Sequence, residues 1–178
     1  MLGMDMDKFS HAIYRMAIHL ENRQPVYYNN DDRDIQRALR AAQRHDTMLT
    51  GWFRINEFNE RTPEAEGGPN LELRNTLYAD FGLDYVWRDY AWTLRAREQK
   101  VITRIYSISP RKSELYHLRL LLLNVPGATS FQHLRTVNGF HHASFTDAAR
   151  ALNLVENGQQ WYDAMAEAAQ HQMPYQLR

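Results

Sequence analysis

The chain has no cysteine among its 178 residues, which excludes disulfides and thiolate metal centres; a reducing compartment is permitted but not required. Apart from Lys8, Lys100 and Lys112, every basic residue is arginine. That bias supplies forked donors suited to phosphates and carboxylates, although it also tracks genome composition. None of the lysines stands in a glycine-rich phosphate loop, and no GxGxxG, GxSxG or HExxH string occurs. The formal net charge is zero, so any hold on a polyanion must come from local patches. No apolar run approaches the length of a membrane span, and residues 120–125 are interrupted by Asn124. The opening MLGMDMDKFS is acidic and lacks the basic-then-apolar order of a secretion signal.

What is present is the material of a core. Hydrophobic residues make up 44%, with four Trp, ten Tyr and seven Phe, which excludes wholesale disorder. The length suits a single domain over residues 1–178, with 1–12 read as a disordered arm. Residues 113–139, SELYHLRLLLLNVPGATSFQHLRTVNG, organise the rest. Leu115, Leu118, Leu121 and Leu122 recur at helical spacing, and the run from Leu120 to Leu123 is too apolar for a surface. Pro126-Gly127 is a stop, Thr129 with Gln132 has the spacing of a capping box, and Asn138-Gly139 closes the following turn.

Elsewhere the periods alternate between two and 3.6. Tyr14, Met16, Ile18 and Leu20 predict a half-buried strand that returns through Pro25-Val26-Tyr27-Tyr28 as a hairpin. Residues 34–44 predict an amphipathic helix with Ile35, Ala38, Leu39 and Ala42 on one side. Residues 47–61 predict another, with Leu49, Trp52, Phe53 and Asn56 aligned and Gly51 as a weakness. Residues 62–75, with two prolines, Gly67-Gly68 and three glutamates, read as a flexible acidic loop. From Leu77 the pattern turns to strands: Tyr85 with Trp87, Trp92 with Leu94, then residues 101–109, an antiparallel three-stranded meander. Ser144 caps a helix bearing Phe145, Ala148, Ala149 and Leu152, and Asn157 can start a last one through Trp161, Met165 and Ala168. The fold class is therefore α+β: an N-terminal β-hairpin, two helices, the meander, and a C-terminal group of about four helices.

Two sets of arginines are candidates for binding. Arg33, Arg37, Arg40 and Arg44 share a helix face with no acid among them, a stripe that is either a solvated polar face or a track for phosphates. Arg88, Arg95, Arg97 and Arg104 stand among strand aromatics, the composition of a base-stacking platform and equally of an ordinary core with a solvated outer face. His133, His141 and His142 have no recognised ligand spacing, and Asp31-Asp32 reads as turn capping. No metal or cofactor is expected.

The string LRLLLLNVPGATSFQHLRTVNG, residues 118–139, resembles a segment of eukaryotic Helitron transposases, just upstream of their superfamily 1, 5′-to-3′ DNA helicase motor. AIHLENRQPVYY, TMLTGWFRIN, YVWRDYAWTLR, ITRIYSISP and SFTDAARALNLVENGQQW extend the likeness over residues 13–178. The resemblance implies a nuclear domain between the nicking and unwinding activities of a Rep-helicase polyprotein. Its partners would be single-stranded DNA and the adjoining helicase and nuclease domains. The family's HUH nuclease motif and ATP-binding loop have no counterpart here, His141-His142 being adjacent, so no catalytic residue carries over. The resemblance thus implies a non-catalytic coupling or DNA-contacting domain, excised from the polyprotein or standing alone. A scaffold domain without DNA contact and a relic of a decayed transposon are the alternatives.

Overall fold

The computed structural model describes residues 12–26, 40, 45–63, 66, 68–96 and 101–155. In chain order these form β1 (Ala12–Met16), α1 (Met48–Glu60), α2 (Leu71–Asn75), α3 (Tyr78–Asp84), β2 (Tyr85–Arg88), β3 (Ala91–Leu94) and β4 (Val101–Ile105). There follow α4 (Ser113–Leu122), α5 (Phe131–Leu134), β5 (Thr136–Val137), β6 (Phe140–His141) and α6 (Phe145–Ala151). The fold is α+β, its strands arranged in two-stranded sheets.

α1 starts at a reciprocal capping box. Thr50 N donates to Thr47 Oγ1 at 3.1 Å while Thr47 N donates to Thr50 Oγ1 at 2.8 Å, which satisfies two amides that a helix end leaves open. Its stripe of Leu49, Trp52, Phe53 and Asn56 is buried as the spacing predicts. Gly51, a weakness by propensity, is required by packing: a β-carbon there would lie 2.5 Å from Trp87 Cζ3. Leu118, Leu121 and Leu122 of α4 are fully buried, and they join Phe131, Phe145, Ala148 and Ala149 in one core. α4 ends at Leu122, ahead of Pro126. The cap of α5 falls one residue later than expected, on Ser130, whose Oγ accepts from His133 N at 3.0 Å. Thr129 instead donates its N–H to His133 Nδ1 at 3.1 Å. Asn138-Gly139, at φ 52° and 80°, turns β5 into β6.

Three expectations are corrected. Residues 77–84 are not strand but include the helix α3, with Tyr78, Phe81 and Gly82 buried along one side. The loop over residues 62–75 ends in α2, capped by Asn70, whose Oδ1 accepts from Glu72 N and Leu73 N. Asn59 holds Asn70 from both sides, accepting its N–H at 2.8 Å and donating to its carbonyl at 3.0 Å. Finally, the three-stranded meander does not form among the described residues, and of the expected N-terminal hairpin the first strand ends at Met16 while Tyr27-Tyr28 of its return lie outside the described residues. Among the described residues β2 and β3 pair only with each other, and β4 pairs in parallel with β1, Ala12 opposite Val101 through Met16 opposite Ile105. Alternation fixes which face of a strand is buried, not which strand lies beside it. The helix expected over 34–44 and the last helix from Asn157 fall outside the described residues, except for Arg40.

The parallel pairing is possible because α3 packs tightly on the ribbon. A β-carbon at Gly82 would meet Met16 Sδ and Tyr14 Cδ1 at 2.8 Å and Thr103 Cγ2 at 2.9 Å, so only glycine lets helix and strands approach this closely. Tyr78 and Tyr14 then bridge outward. Tyr78 OH donates to Ala17 O at 2.5 Å, and burial, with Tyr14 beside it, raises its pKa well above the ordinary phenol. Tyr14 OH accepts from Trp87 N at 2.7 Å, tying the ribbon to the β2–β3 hairpin. Gly82→Ala should cost about 1–3 kcal/mol, the usual range for overpacking a close contact. A denaturant midpoint equal to that of the parent protein would show that helix and ribbon can separate freely.

Candidate nucleic-acid interface

The inner face of the β1–β4 ribbon carries Tyr14, Met16 and Thr103 toward Gly82, with Ile105 buried on the same face. Because successive side chains alternate, the outer face carries Ile13 and Arg15 from β1, with Ile102 and Arg104 from β4. Register places Ile13 beside Ile102 and Arg15 beside Arg104. Tyr106, just beyond β4, lies on the same side, with the Arg15 guanidinium 5.4 Å from its ring centre. This face is open: Ile13 is 56% exposed, Ile102 50% and Tyr106 54%. Parallel sheets are ordinarily covered on both faces, so a bare one is unusual. No carboxylate among the described residues pairs with Arg15 or Arg104.

The arginines singled out in the sequence are distributed differently. Arg104 lies on this open face, and its partner Arg15 was missed, since nothing local indicates that β1 and β4 are neighbours. The signal available was Arg15 alternating outward between Tyr14 and Met16. Arg88 is exposed at the end of β2, on a separate sheet. It precedes a turn in which Asp89 and Tyr90 both adopt left-handed φ, 48° and 60°, with the Tyr90 ring stacked on His45 at 4.2 Å. Arg95 is occupied: Nε and Nη2 donate to Gly82 O at 3.1 and 2.8 Å, and its guanidinium lies 4.9 Å from the Tyr14 ring centre. It caps the C-terminal end of α3, where a cation is favoured. Arg40 is exposed. Arg33, Arg37, Arg44 and Arg97 lie outside the described residues.

The polar clusters elsewhere have structural employment. Glu114 on α4 receives Phe145 N at 3.0 Å, Thr146 N at 3.3 Å and Thr146 Oγ1 at 2.7 Å, closing the start of α6. His117 Nδ1 lies 2.7 Å from Ser113 O; a carbonyl only accepts, so this nitrogen carries the proton. It therefore cannot take a proton from Ser113 Oγ, 3.3 Å away, and the Ser-His-Glu proximity is not a nucleophile relay. An open cleft of about 330 Å³ between α1 and the start of α5 is lined by Glu21, Arg54 and Glu57 among others. Those charges are paired with Arg135 at 3.2 Å, Asp46 at 2.5 Å and Arg61 at 2.6 Å respectively. Among the described residues no group of three or more His, Asp or Glu could hold a metal ion. Nor is any described helix long and apolar enough to cross a membrane. Comparison with protein-family models and with curated proteins gives no match for this chain.

His19 supplies a measurable property of the fold beneath the cleft. Its Nδ1 donates to Leu20 O at 2.8 Å, and Nε2 lies 2.8 Å from Thr47 Oγ1, from which it accepts in the neutral ring that burial favours. Burial holds its pKa below the ordinary value, partly offset by the Leu20 carbonyl. The unfolded chain then binds the proton more readily. The stabilisation is full above the unfolded pKa of about 6.5 and is lost as pH falls from there through the lower folded value. His19→Gln should be less stable than the parent at neutral pH, with a gap that narrows on acidification through this window. Denaturation at a series of pH values measures it, and a constant gap would mean that the ring's charge state is irrelevant.

Proposed function

We propose that the chain is a non-catalytic, single-stranded-DNA-contacting domain of Helitron type. It would act in the nucleus beside the helicase and nuclease domains of a Rep-helicase polyprotein and help to hold the strand between nicking and unwinding. ATP turnover and strand cleavage would belong to those other domains. The observation that supports DNA contact is the Arg15–Arg104 pair, side by side on an open sheet face with no carboxylate partner among the described residues. Two guanidiniums held one strand spacing apart repel each other in the free protein, and an anionic strand relieves that repulsion. The resemblance over residues 13–178 supplies the polyprotein context. A second reading, a protein-docking scaffold, is favoured by Ile13 and Ile102, adjacent and exposed on the same face.

The two readings part on salt. Affinity for a single strand falls with salt at a log–log slope of about −0.7 per phosphate contact. Replacing Arg15 and Arg104 by Gln should therefore make the slope shallower by about 1.4, while lysine at both positions retains more of the binding. Fluorescence anisotropy with a labelled oligothymidylate reads both. Absence of binding at low salt, or an unchanged slope in the Gln pair, would discard DNA contact and favour the scaffold.

A further inference from the structure

We infer that the outer face of the β1–β4 ribbon takes a strand with unpaired bases, one base stacking on Tyr106 and the adjoining phosphates meeting Arg15 and Arg104. This rests on the reading of the face as a DNA contact and specifies which form of nucleic acid it accepts. Tyr106 has no hydrogen-bond partner among the described residues, is half exposed, and is in contact with Arg15 through its ring. A guanidinium lying near a tyrosine ring makes a composite flat surface, because bases stack on aromatic faces and on guanidinium planes alike. Ile13 and Ile102 extend the apolar part of that surface without adding a donor or acceptor that could read a base edge. Stacking without edge contacts is sequence-tolerant.

Size argues for a strand over a folded partner. Each strand of the ribbon has five residues, so the face formed by the described residues is about 16 Å long and two strand spacings, roughly 10 Å, wide. That footprint is several times smaller than the roughly 800 Å² per partner that a stable protein interface buries. A duplex fits poorly as well, since its bases are stacked on one another and offer no face to Tyr106. A single strand crossing the ribbon needs only a few nucleotides.

The experiment compares three labelled probes on the full chain: an oligothymidylate, an abasic phosphodiester of the same length, and a blunt duplex. The parent should bind the oligothymidylate most tightly. Tyr106→Leu should weaken oligothymidylate binding by about five- to a hundredfold, down to the abasic level, since a stacked base contributes about that factor. It should leave abasic binding and the salt slope unchanged, and Tyr106→Trp should restore or increase binding. Matching tryptophan emission spectra of the parent and the Leu variant check that the fold is retained. If oligothymidylate and abasic probe bind the parent equally while the Arg15 and Arg104 variants still alter the slope, stacking is wrong and phosphate contact stands. Duplex binding equal to single-strand binding overturns the preference for unpaired bases. If no probe binds at low salt, the DNA reading and this inference fall together.

Discussion

The approach of α3 to the ribbon at Gly82 is the constraint on which the exposed face depends. With no side chain at that position, Met16, Tyr14 and Thr103 reach van der Waals contact with a helix backbone. The same contact brings Gly82 O within reach of Arg95 and sets Tyr14 where Trp87 N can donate to it. From there an aromatic chain runs inward: Phe81 stacks on Tyr85 at 4.2 Å and meets Trp92 edge-on at 5.1 Å, and Trp92 Nε1 donates to Met48 O at the start of α1. One face of the ribbon is thereby fixed inward. Period two then leaves Ile13, Arg15, Ile102 and Arg104 no choice but to face out.

What could be read in the sequence was whatever is encoded locally. α1 is marked by its apolar stripe and α6 by its stripe and the Ser144 cap, and both are found as expected; the structure adds the Thr47–Thr50 box and Asp147. α4 announces itself by leucine spacing alone. The hairpin at Asn138-Gly139 needs only two residues tolerant of left-handed φ. α3 was hidden because a seven-residue helix containing a glycine has little intrinsic helix signal, and its stability comes from the strands beneath it. The β1–β4 pairing was hidden for a related reason. Its partners are about 90 residues apart in the chain, and the Tyr14–Trp87 bond that helps to fix them spans 73. The candidate site was therefore half legible. Arg104 could be named from its strand, but Arg15 could not be placed beside it, and nothing foretold that Arg95 would be turned to a helix end.

A chain with no net charge can still present a basic face if its acids are consumed in folding. Several of its carboxylates are. Glu114 closes α6 from a neighbouring helix, and Asp147 completes the cap of the same helix with Ser144. Asp46 takes both Thr50 Oγ1 and Arg54, and Glu21 holds Arg135. These carboxylates sit close to backbone amides or arginines that need them, where their fields are largely neutralised at short range. Arg15, Arg88 and Arg104 have no such employment among the described residues, so their charge reaches solvent. Local balance, not the total, decides what the surface offers.

Two guanidiniums and one ring make a weak site, and the proposed setting requires no more. Affinity from phosphate contacts accumulates over six to ten of them in proteins that grip DNA firmly, and two supply a small part of that. In an isolated domain such a face would release a strand quickly. Tethered beside domains that bind the same strand, as proposed, it would work at the effective concentration that the linkage sets, which reaches the millimolar range for short flexible connections. A weak contact would then be occupied whenever its neighbours are, yet would yield as the strand is drawn past it. Sequence-tolerant stacking suits that role, because a base-specific contact would stall at each preferred site. Under the proposed role a larger or more specific surface at this position would oppose the movement of the strand.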